Sequence, residues 1–292
     1  MTVTRRPGPS SRTRVREFDA EGAREREDRL ATEEPLEIRC AWPGSPARRV
    51  AVTMRTPGHD FELAAGFLYG EGVVTSASDI HTVMYCTDNT LTSAQQYNVV
   101  TVDLARLPRS APAARYDGPA AAASACGVCG AQSIDDVLDL MDRTVAAEAA
   151  SRPDWDGLRV PPEVVHSLPQ RLREAQKVFE ATGGLHAAGL FDVDGAPVAV
   201  REDIGRHNAV DKVVGSRLLA GAGTDLPVLA VSGRIGFEIV QKAVAAGVGL
   251  LAAVGAPSSL AVDLAARAGL CTIGFVKPER FVTYTVPERV GV

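Results

Sequence analysis

Two cysteines set the chemistry this sequence could perform: Cys126-Gly-Val-Cys129, inside Ser124-Ala-Cys-Gly-Val-Cys-Gly130. Ile134, Val137, Leu138 and Met141 follow at helical spacing, which places both thiols at or just before a helix N-terminus. Unsatisfied N–H groups and the positive dipole end stabilise a thiolate there, and Gly127 and Gly130 let the backbone bend around open sulfurs. The chain has five cysteines, an odd number that argues against a disulfide framework. In a reducing compartment the pair points to metal or sulfur chemistry. Three blander readings stand beside it. A structural zinc site needs a second ligand pair, yet Cys40, Cys86 and Cys271 are isolated in predicted strands. A thioredoxin-like centre directly follows a strand, whereas this pair follows a Pro/Ala-rich stretch. Inert thiols seldom occupy a glycine-flanked turn.

A second group is polar and dense: Arg201-Glu-Asp-Ile-Gly-Arg-His-Asn-Ala-Val-Asp-Lys212. With a helix starting near Arg206, His207 and Asp211 lie four apart, as do Asn208 and Lys212, a spacing that could orient an imidazole for proton transfer. A solvated helix face with one ion pair is the alternative. Ser232-Gly-Arg-Ile-Gly-Phe-Glu238 leaves a strand and opens a helix, where backbone N–H groups could hold phosphate. It is neither a dinucleotide fingerprint nor a P-loop, and a turn that simply needs glycine reads equally well. Phe275-Val276-Lys277-Pro278-Glu279-Arg280 lies just past the last predicted parallel strand, where open α/β sheets bind ligands. Lys277 and Arg280 suit a phosphate or pyrophosphate.

These residues must be positioned by a chain of 292 residues with net charge −5, 46% hydrophobic and 5% aromatic residues. That composition excludes wholesale disorder and gives no global field for DNA or RNA. The longest apolar run, Val244 to Val254, is far short of the ~20 residues of a membrane span. The N-terminus shows no apolar secretory segment, and a cytoplasmic protein is expected. Residues 1–33 read as a disordered charged tail. Residues 34–125 read as a strand-rich part with a hairpin (Leu36–Trp42, Arg49–Met54), a helix from Asp60 to Tyr69, strands Ile80–Cys86 and Tyr97–Val102, and a long mobile segment from Leu107 to Ala125. Residues 126–292 begin at the cysteine pair and hold a helix through Leu172 to Phe179 and two strands about an Asp194-Gly195 turn. A helix from Arg206 to Leu219 leads into strand Val228–Val231, helix Phe237–Ala246, strand Leu250–Val254, helix Ser259–Ala268 and strand Thr272–Val276. This alternation predicts a mostly parallel central sheet covered by helices.

Taken together, Thr56-Pro-Gly-His-Asp-Phe-Glu-Leu-Ala-Ala-Gly-Phe-Leu-Tyr-Gly-Glu-Gly72, the Cys126/Cys129 motif, Glu202 to Lys212, Ser232-Gly-Arg, Ala256 to Val262 and Gly274-Phe-Val-Lys-Pro-Glu-Arg280 make the sequence similar to the formate dehydrogenase accessory protein (FdhD) family of sulfurtransferases. The resemblance runs from about Glu34 to Tyr284. It implies a cytidine-deaminase-like three-layer α/β fold and a homodimer. It further implies an enzyme that accepts sulfur from a cysteine desulfurase as a persulfide on Cys126, with Cys129 assisting or resolving. The sulfur would pass to bis-molybdopterin guanine dinucleotide, the molybdenum cofactor of apo-formate dehydrogenase, its guanine nucleotide portion held by Phe275 to Arg280. Individual duties of Asp203, Arg206, His207, Asp211, Lys212 and Arg234 are left unassigned. A zinc deaminase is disfavoured, because none of the five histidines forms H-x-E and Ala125, not Pro, precedes Cys126. A non-catalytic chaperone that binds the cofactor and the apoenzyme is the alternative function.

Overall fold

The computed structural model describes residues 6–86, 92, 95–108, 142 and 153–291. The segment from residue 109 to 125 and the pair Cys126 and Cys129 lie outside the described residues, so the expectations about them are not addressed by the fold.

In chain order the strands are β1 (Ser10–Asp19), β2 (Gly22–Ala31), β3 (Glu34–Trp42), β4 (Ser45–Arg55), β5 (Ile80–Tyr85), β6 (Val99–Leu104), β7 (His186–Phe191), β8 (Pro197–Asp203), β9 (Val228–Val231), β10 (Leu250–Ala253), β11 (Cys271–Lys277) and β12 (Arg280–Thr285). The described helices are α1 (Asp60–Gly70), α2 (Pro162–Glu174), α3 (Lys177–Thr182), α4 (Arg206–Leu219), α5 (Phe237–Ala245) and α6 (Ser259–Arg267).

Residues 10–31 are not the unstructured tail that their charge suggests. They form an antiparallel ladder, β1 on β2, in register from Ser10↔Ala31 to Asp19↔Gly22. Cross-strand pairing of Arg14 with Glu27 and Arg16 with Glu25 places opposite charges face to face, which lets a ribbon without a core persist. Composition cannot reveal such pairing, because it reports the absence of apolar burial and not the charge register.

Strands β3 to β6 make a four-stranded sheet in the order β4-β3-β6-β5. Leu36, Ile38 and Cys40 alternate onto one fully buried face, where α1 covers them with Leu63, Ala64 and Leu68. The other six strands run in the order β12-β11-β10-β9-β7-β8. This sheet corrects the expected mostly parallel arrangement: β9/β10 and β10/β11 are parallel, but β7/β8, β7/β9 and β11/β12 are antiparallel. Hairpins flank the βαβ units, and β12 was not foreseen as a strand because its burial is partial along most of its length. Helices cover both faces. Ala188, Leu190, Leu229, Val231, Leu251 and Ala253 pack beneath α4, α5 and α6. Ala187, Phe191, Val228, Ala230, Leu250 and Ile273 pack with Val165, Leu168 and Leu172 of α2.

The two halves meet where α1 crosses α4. A Cβ on Gly66 would sit 1.9 Å from the Asp211 carbonyl oxygen, and one on Gly215 would sit 1.9 Å from that of Glu62. The helices touch backbone to backbone, closer than side chains permit. Gly66→Ala is expected to destabilise the fold by about 3 kcal/mol, the upper end for overpacking, because the obstructing atoms cannot rotate away. Gly157→Ala, whose added methyl meets nothing within 4 Å, should stay within about 0.5 kcal/mol of the parent. Urea unfolding followed by circular dichroism measures both; equal stabilities for the two variants would contradict the crossing.

Candidate functional site

The six-stranded sheet gathers most of the residues singled out from the sequence at one edge. Strands β9, β10 and β11 run parallel and end there at Val231, Ala253 and Lys277. Because β7 runs against β9, its first residue, His186, lies at the same edge, and its pairing with Asp203 brings the end of β8 and the start of α4 there too. The turns are tied by backbone hydrogen bonds: Gly255 N donates to Gly233 O (3.1 Å), Ile235 N to Ala256 O (3.0 Å) and Phe275 N to Gly255 O (3.1 Å). Ser232-Gly233-Arg234 and Phe275 therefore line one continuous rim, with only Gly255 and its neighbours between them. A Cβ at Gly255 would lie 2.8 Å from Gly233 O, so glycine is required for the turns to meet.

Below the rim is a buried polar network. The Asp203 carboxylate, fully buried, accepts four hydrogen bonds: from Lys212 Nζ (2.6 Å), Thr56 N (3.1 Å), Gly205 N (2.8 Å) and Asn208 Nδ2 (2.9 Å). Lys212 Nζ also donates to Thr56 O (2.8 Å), and Asn208 Nδ2 to Met54 O (2.8 Å). The expected pairing of His207 with Asp211 along the helix does not form. His207 Nε2 meets Glu238 of α5 at 2.8 Å, and Asp211 pairs with Lys242 at 2.7 Å. Packed against α1, α5 and the sheet, α4 finds its partners on neighbouring elements, and it is no solvated face: every residue from His207 to Gly215 is buried. Burial acts to neutralise the Lys242 ammonium, but Asp211 and Glu71 outweigh it and hold its pKa above the ordinary lysine value. Glu202 accepts from Val178 N (3.0 Å) and Phe179 N (2.7 Å), which fixes the start of α3 and places this motif residue in a structural task.

The segment Phe275 to Arg280 is the hairpin joining β11 to β12. Lys277 pairs with Arg280 across a two-residue turn of Pro278 and Glu279, and a register shift between Gly274 and Lys277 sets Phe275 and Val276 opposite the single Phe281. At this bulge Phe275 has φ 54°, a left-handed conformation, and the residue is 38% exposed. An aromatic residue held there costs about 1 kcal/mol and exposes apolar surface besides. Val276 is buried, whereas Lys277, Pro278, Glu279 and Arg280 are exposed. The carbonyl of Lys277 lies 2.7 Å from His166 Nδ1 on α2, so that nitrogen carries the proton, and the imidazole packs on Phe281 at 4.8 Å. The hairpin is thus anchored to the opposite face of the sheet while its tip stays open.

The described thiols differ sharply in what they can do. Burial pushes Cys40 and Cys271 up to about 12, far from the thiolate that sulfur transfer requires. Cys86 is half-buried, with Arg39 Nη1 at 3.9 Å. Among the described residues no three His, Cys, Asp or Glu side chains are grouped to hold a metal ion, and no helix is long and apolar enough to cross a membrane.

Residues 31–291 match the model of the FdhD/NarQ family. The chain belongs to this family. It is 49% identical over 271 residues to the sulfur carrier protein FdhD of Streptomyces coelicolor, covering 91% of this chain and 90% of the relative. It is 46% identical over 285 residues to the Mycobacterium tuberculosis protein of the same name, covering 95% and 97%. In fold it is similar to the crystal structure of a provisionally assigned formate dehydrogenase accessory protein from Desulfotalea psychrophila. That match has a TM-score of 0.70 at 23% identity over 97% of this chain and 99% of the other, a likeness of fold alone. The family model begins at residue 31, where the charged ribbon ends.

Sequence reasoning missed how the family motif beginning at Thr56 serves the site. Thr56 braces Asp203 and Lys212, and Glu62 accepts from Arg201 of β8 (Nη2, 2.8 Å) and lies 3.1 Å from His59 Nδ1. The recurrence of acid and base 139 residues apart carries no local periodicity that could signal it. Burial alone would raise the Glu62 pKa, but the bonds from Arg201 and His59 prevail and bring it down to about 2. A carboxyl depressed in the folded state stabilises above its ordinary value of 4.5 and loses that contribution as pH falls toward about 2. Glu62→Gln is expected to narrow the difference in unfolding free energy between neutral pH and about pH 3. Guanidinium titrations at both pH values test this, and an unchanged difference counts against the assignment.

Proposed function

We propose that this protein is a sulfur carrier serving formate dehydrogenase maturation in the cytoplasm. Cys126 takes sulfur as a persulfide from a cysteine desulfurase and delivers it to bis-molybdopterin guanine dinucleotide, held as substrate at the sheet edge. The reading is supported by the names of the relatives and by family membership. The observation that carries it is the contrast among thiols: burial keeps Cys40 and Cys271 protonated, and of the remaining Cys86, Cys126 and Cys129 only the last two form a glycine-flanked pair ahead of a helical repeat, a setting suited to a thiolate. The resemblance also supports a cytidine-deaminase-like body and a homodimer.

The chemistry balances within the pair. The Cys126 thiolate attacks the outer sulfur of the donor persulfide; the donor S–S bond breaks and the donor leaves as a thiolate. Delivery of that sulfur as sulfide requires two electrons. Cys129 supplies them by attacking the inner sulfur of the Cys126 persulfide, forming a Cys126–Cys129 disulfide and expelling hydrosulfide toward the metal; a cellular thiol reductant then restores the pair. At the other end of the substrate, Phe275 offers a stacking surface and Lys277 and Arg280 offer charge for the guanine nucleotide.

Incubation with a cysteine desulfurase and cysteine should add the mass of one sulfur, removable by reductant and absent in Cys126→Ser. Intact-mass spectrometry reads the result. Absence of the added mass in the parent protein would favour a chaperone that binds the cofactor and apoenzyme without relaying sulfur.

A further inference from the structure

The charged ribbon of β1 and β2 has two unlike faces. In an antiparallel ladder directly opposed residues share a face, and every second residue along a strand follows on it. One face carries Glu17, Arg24, Arg26 and Asp28, and its charges are settled. Glu17 meets Arg24 at 2.7 Å and Arg26 at 3.2 Å, and Arg26 meets Asp28 at 3.0 Å. The other face sets Arg12, Arg14 and Arg16 of β1 opposite Arg29, Glu27 and Glu25 of β2. Here the charges are left over. Arg12 reaches Glu27 diagonally at 3.1 Å, yet it stands directly opposite Arg29, a like-charge pair that opposes the ladder. Arg14, Arg16 and Arg29 join no ion pair among the described residues. Arg16 lies over the ring of Phe18 at 5.5 Å, and Phe18, next on the same face toward the ribbon tip, is 74% exposed.

The ribbon also has a free edge. β2 packs on α3, whereas the two-stranded sheet ends at β1, whose outward N–H and C=O groups pair with no strand among the described residues. Arg12, Arg14 and Arg16 recur along this edge about 6.7 Å apart, the side-chain repeat of any extended strand.

We propose that the outer edge of β1 is a docking site for an extended acidic segment of another protein, which adds as a third strand with carboxylates at alternate positions beside Arg12, Arg14 and Arg16. Backbone hydrogen bonds along the edge supply affinity, and the arginine row selects the sequence. An apolar residue at one end of the acid row covers Phe18. Other occupants are less well matched. A second copy of β1 does not offer the acids, because its Glu17 and Asp19 are held by Arg24 and Arg26. Glu25 and Glu27 stand among the arginines, which suits a patterned peptide and opposes a uniformly anionic membrane or nucleic acid. With a net charge of −5 on the whole chain, the arginine row is a local attraction on a body that repels acidic partners elsewhere. The assignment is independent of the sulfur reading, since all of the ribbon but its last residue precedes the part that matches the family.

Fluorescence anisotropy on the full-length protein tests this with a labelled peptide of alternating glutamate and valine, ten residues long like β1. The parent should bind it, more weakly as salt is raised. The triple variant Arg12→Gln/Arg14→Gln/Arg16→Gln should lose roughly 10-fold in affinity. Arg48→Gln/Arg49→Gln, which removes exposed charge from β4, should stay within about twofold of the parent. The same peptide N-methylated at every residue keeps its carboxylates but loses its backbone donors, and should bind the parent roughly 10-fold more weakly. No binding by the parent, equal affinity for the methylated peptide, or an equal loss in the β4 variant overturns the assignment. So does preferential binding of phosphatidylglycerol vesicles through the same three arginines, which would make the edge a lipid-facing one.

Discussion

The fold is organised around one buried ion pair. Asp203 and Lys212 are essentially inaccessible to water and 2.6 Å apart. Desolvating two charges costs several kcal/mol each, and the arrangement survives only because every remaining lone pair and proton is engaged. The groups that engage them are the backbone of Thr56, Gly205 and Glu202 and the amide of Asn208, so electrostatic satisfaction of the second half of the chain depends in part on Thr56, at the end of β4 in the first. Loss of either charge would strand the other in a region that cannot solvate it.

Around that pair, satisfied and unsatisfied groups are distributed unevenly. Deep in the molecule, acids and bases are matched across elements: His207 with Glu238, Asp211 with Lys242, Glu62 with Arg201. Toward the rim the matching stops, a phenylalanine sits in left-handed backbone, and glycines let three turns touch. Left-handed backbone at Phe275, exposed cations and turns in close contact thus coincide at one edge of the sheet.

Much of this was legible in residue order. Helices α4, α5 and α6 and strands β9, β10 and β11 follow from periodicity and alternation, whereas the helix expected through Leu172 to Phe179 is instead α2, which starts ten residues earlier at Pro162 with proline in its first turn, followed after a break by the short α3. The rim itself was foreshadowed by Ser232-Gly233-Arg234 and by Phe275 to Arg280, since strand-to-helix turns at the carboxyl ends of parallel strands fall on one side of a sheet. Contacts set by the third dimension were illegible. His207 and Asp211 have helical spacing, but α4 is enclosed on several sides and each found a stronger partner on α5. The ribbon at residues 10–31 was concealed because its pairing follows charge and not hydrophobicity. Arg206 Nε, buried without a hydrogen-bond partner among the described residues, is a product of packing that no motif encodes.

The crossing of α1 and α4 through Gly66 and Gly215 bears on how the rim comes into being. Thr56 and Asp203, which the crossing brings together, are 147 residues apart, and closing so long a loop carries an entropic cost that local structure cannot offset. The amino-terminal half must therefore wait for about three-quarters of the chain, through Leu219, before its helix finds a seat. A polypeptide that ends before α4 lacks the partner that seats α1 and has no assembled rim.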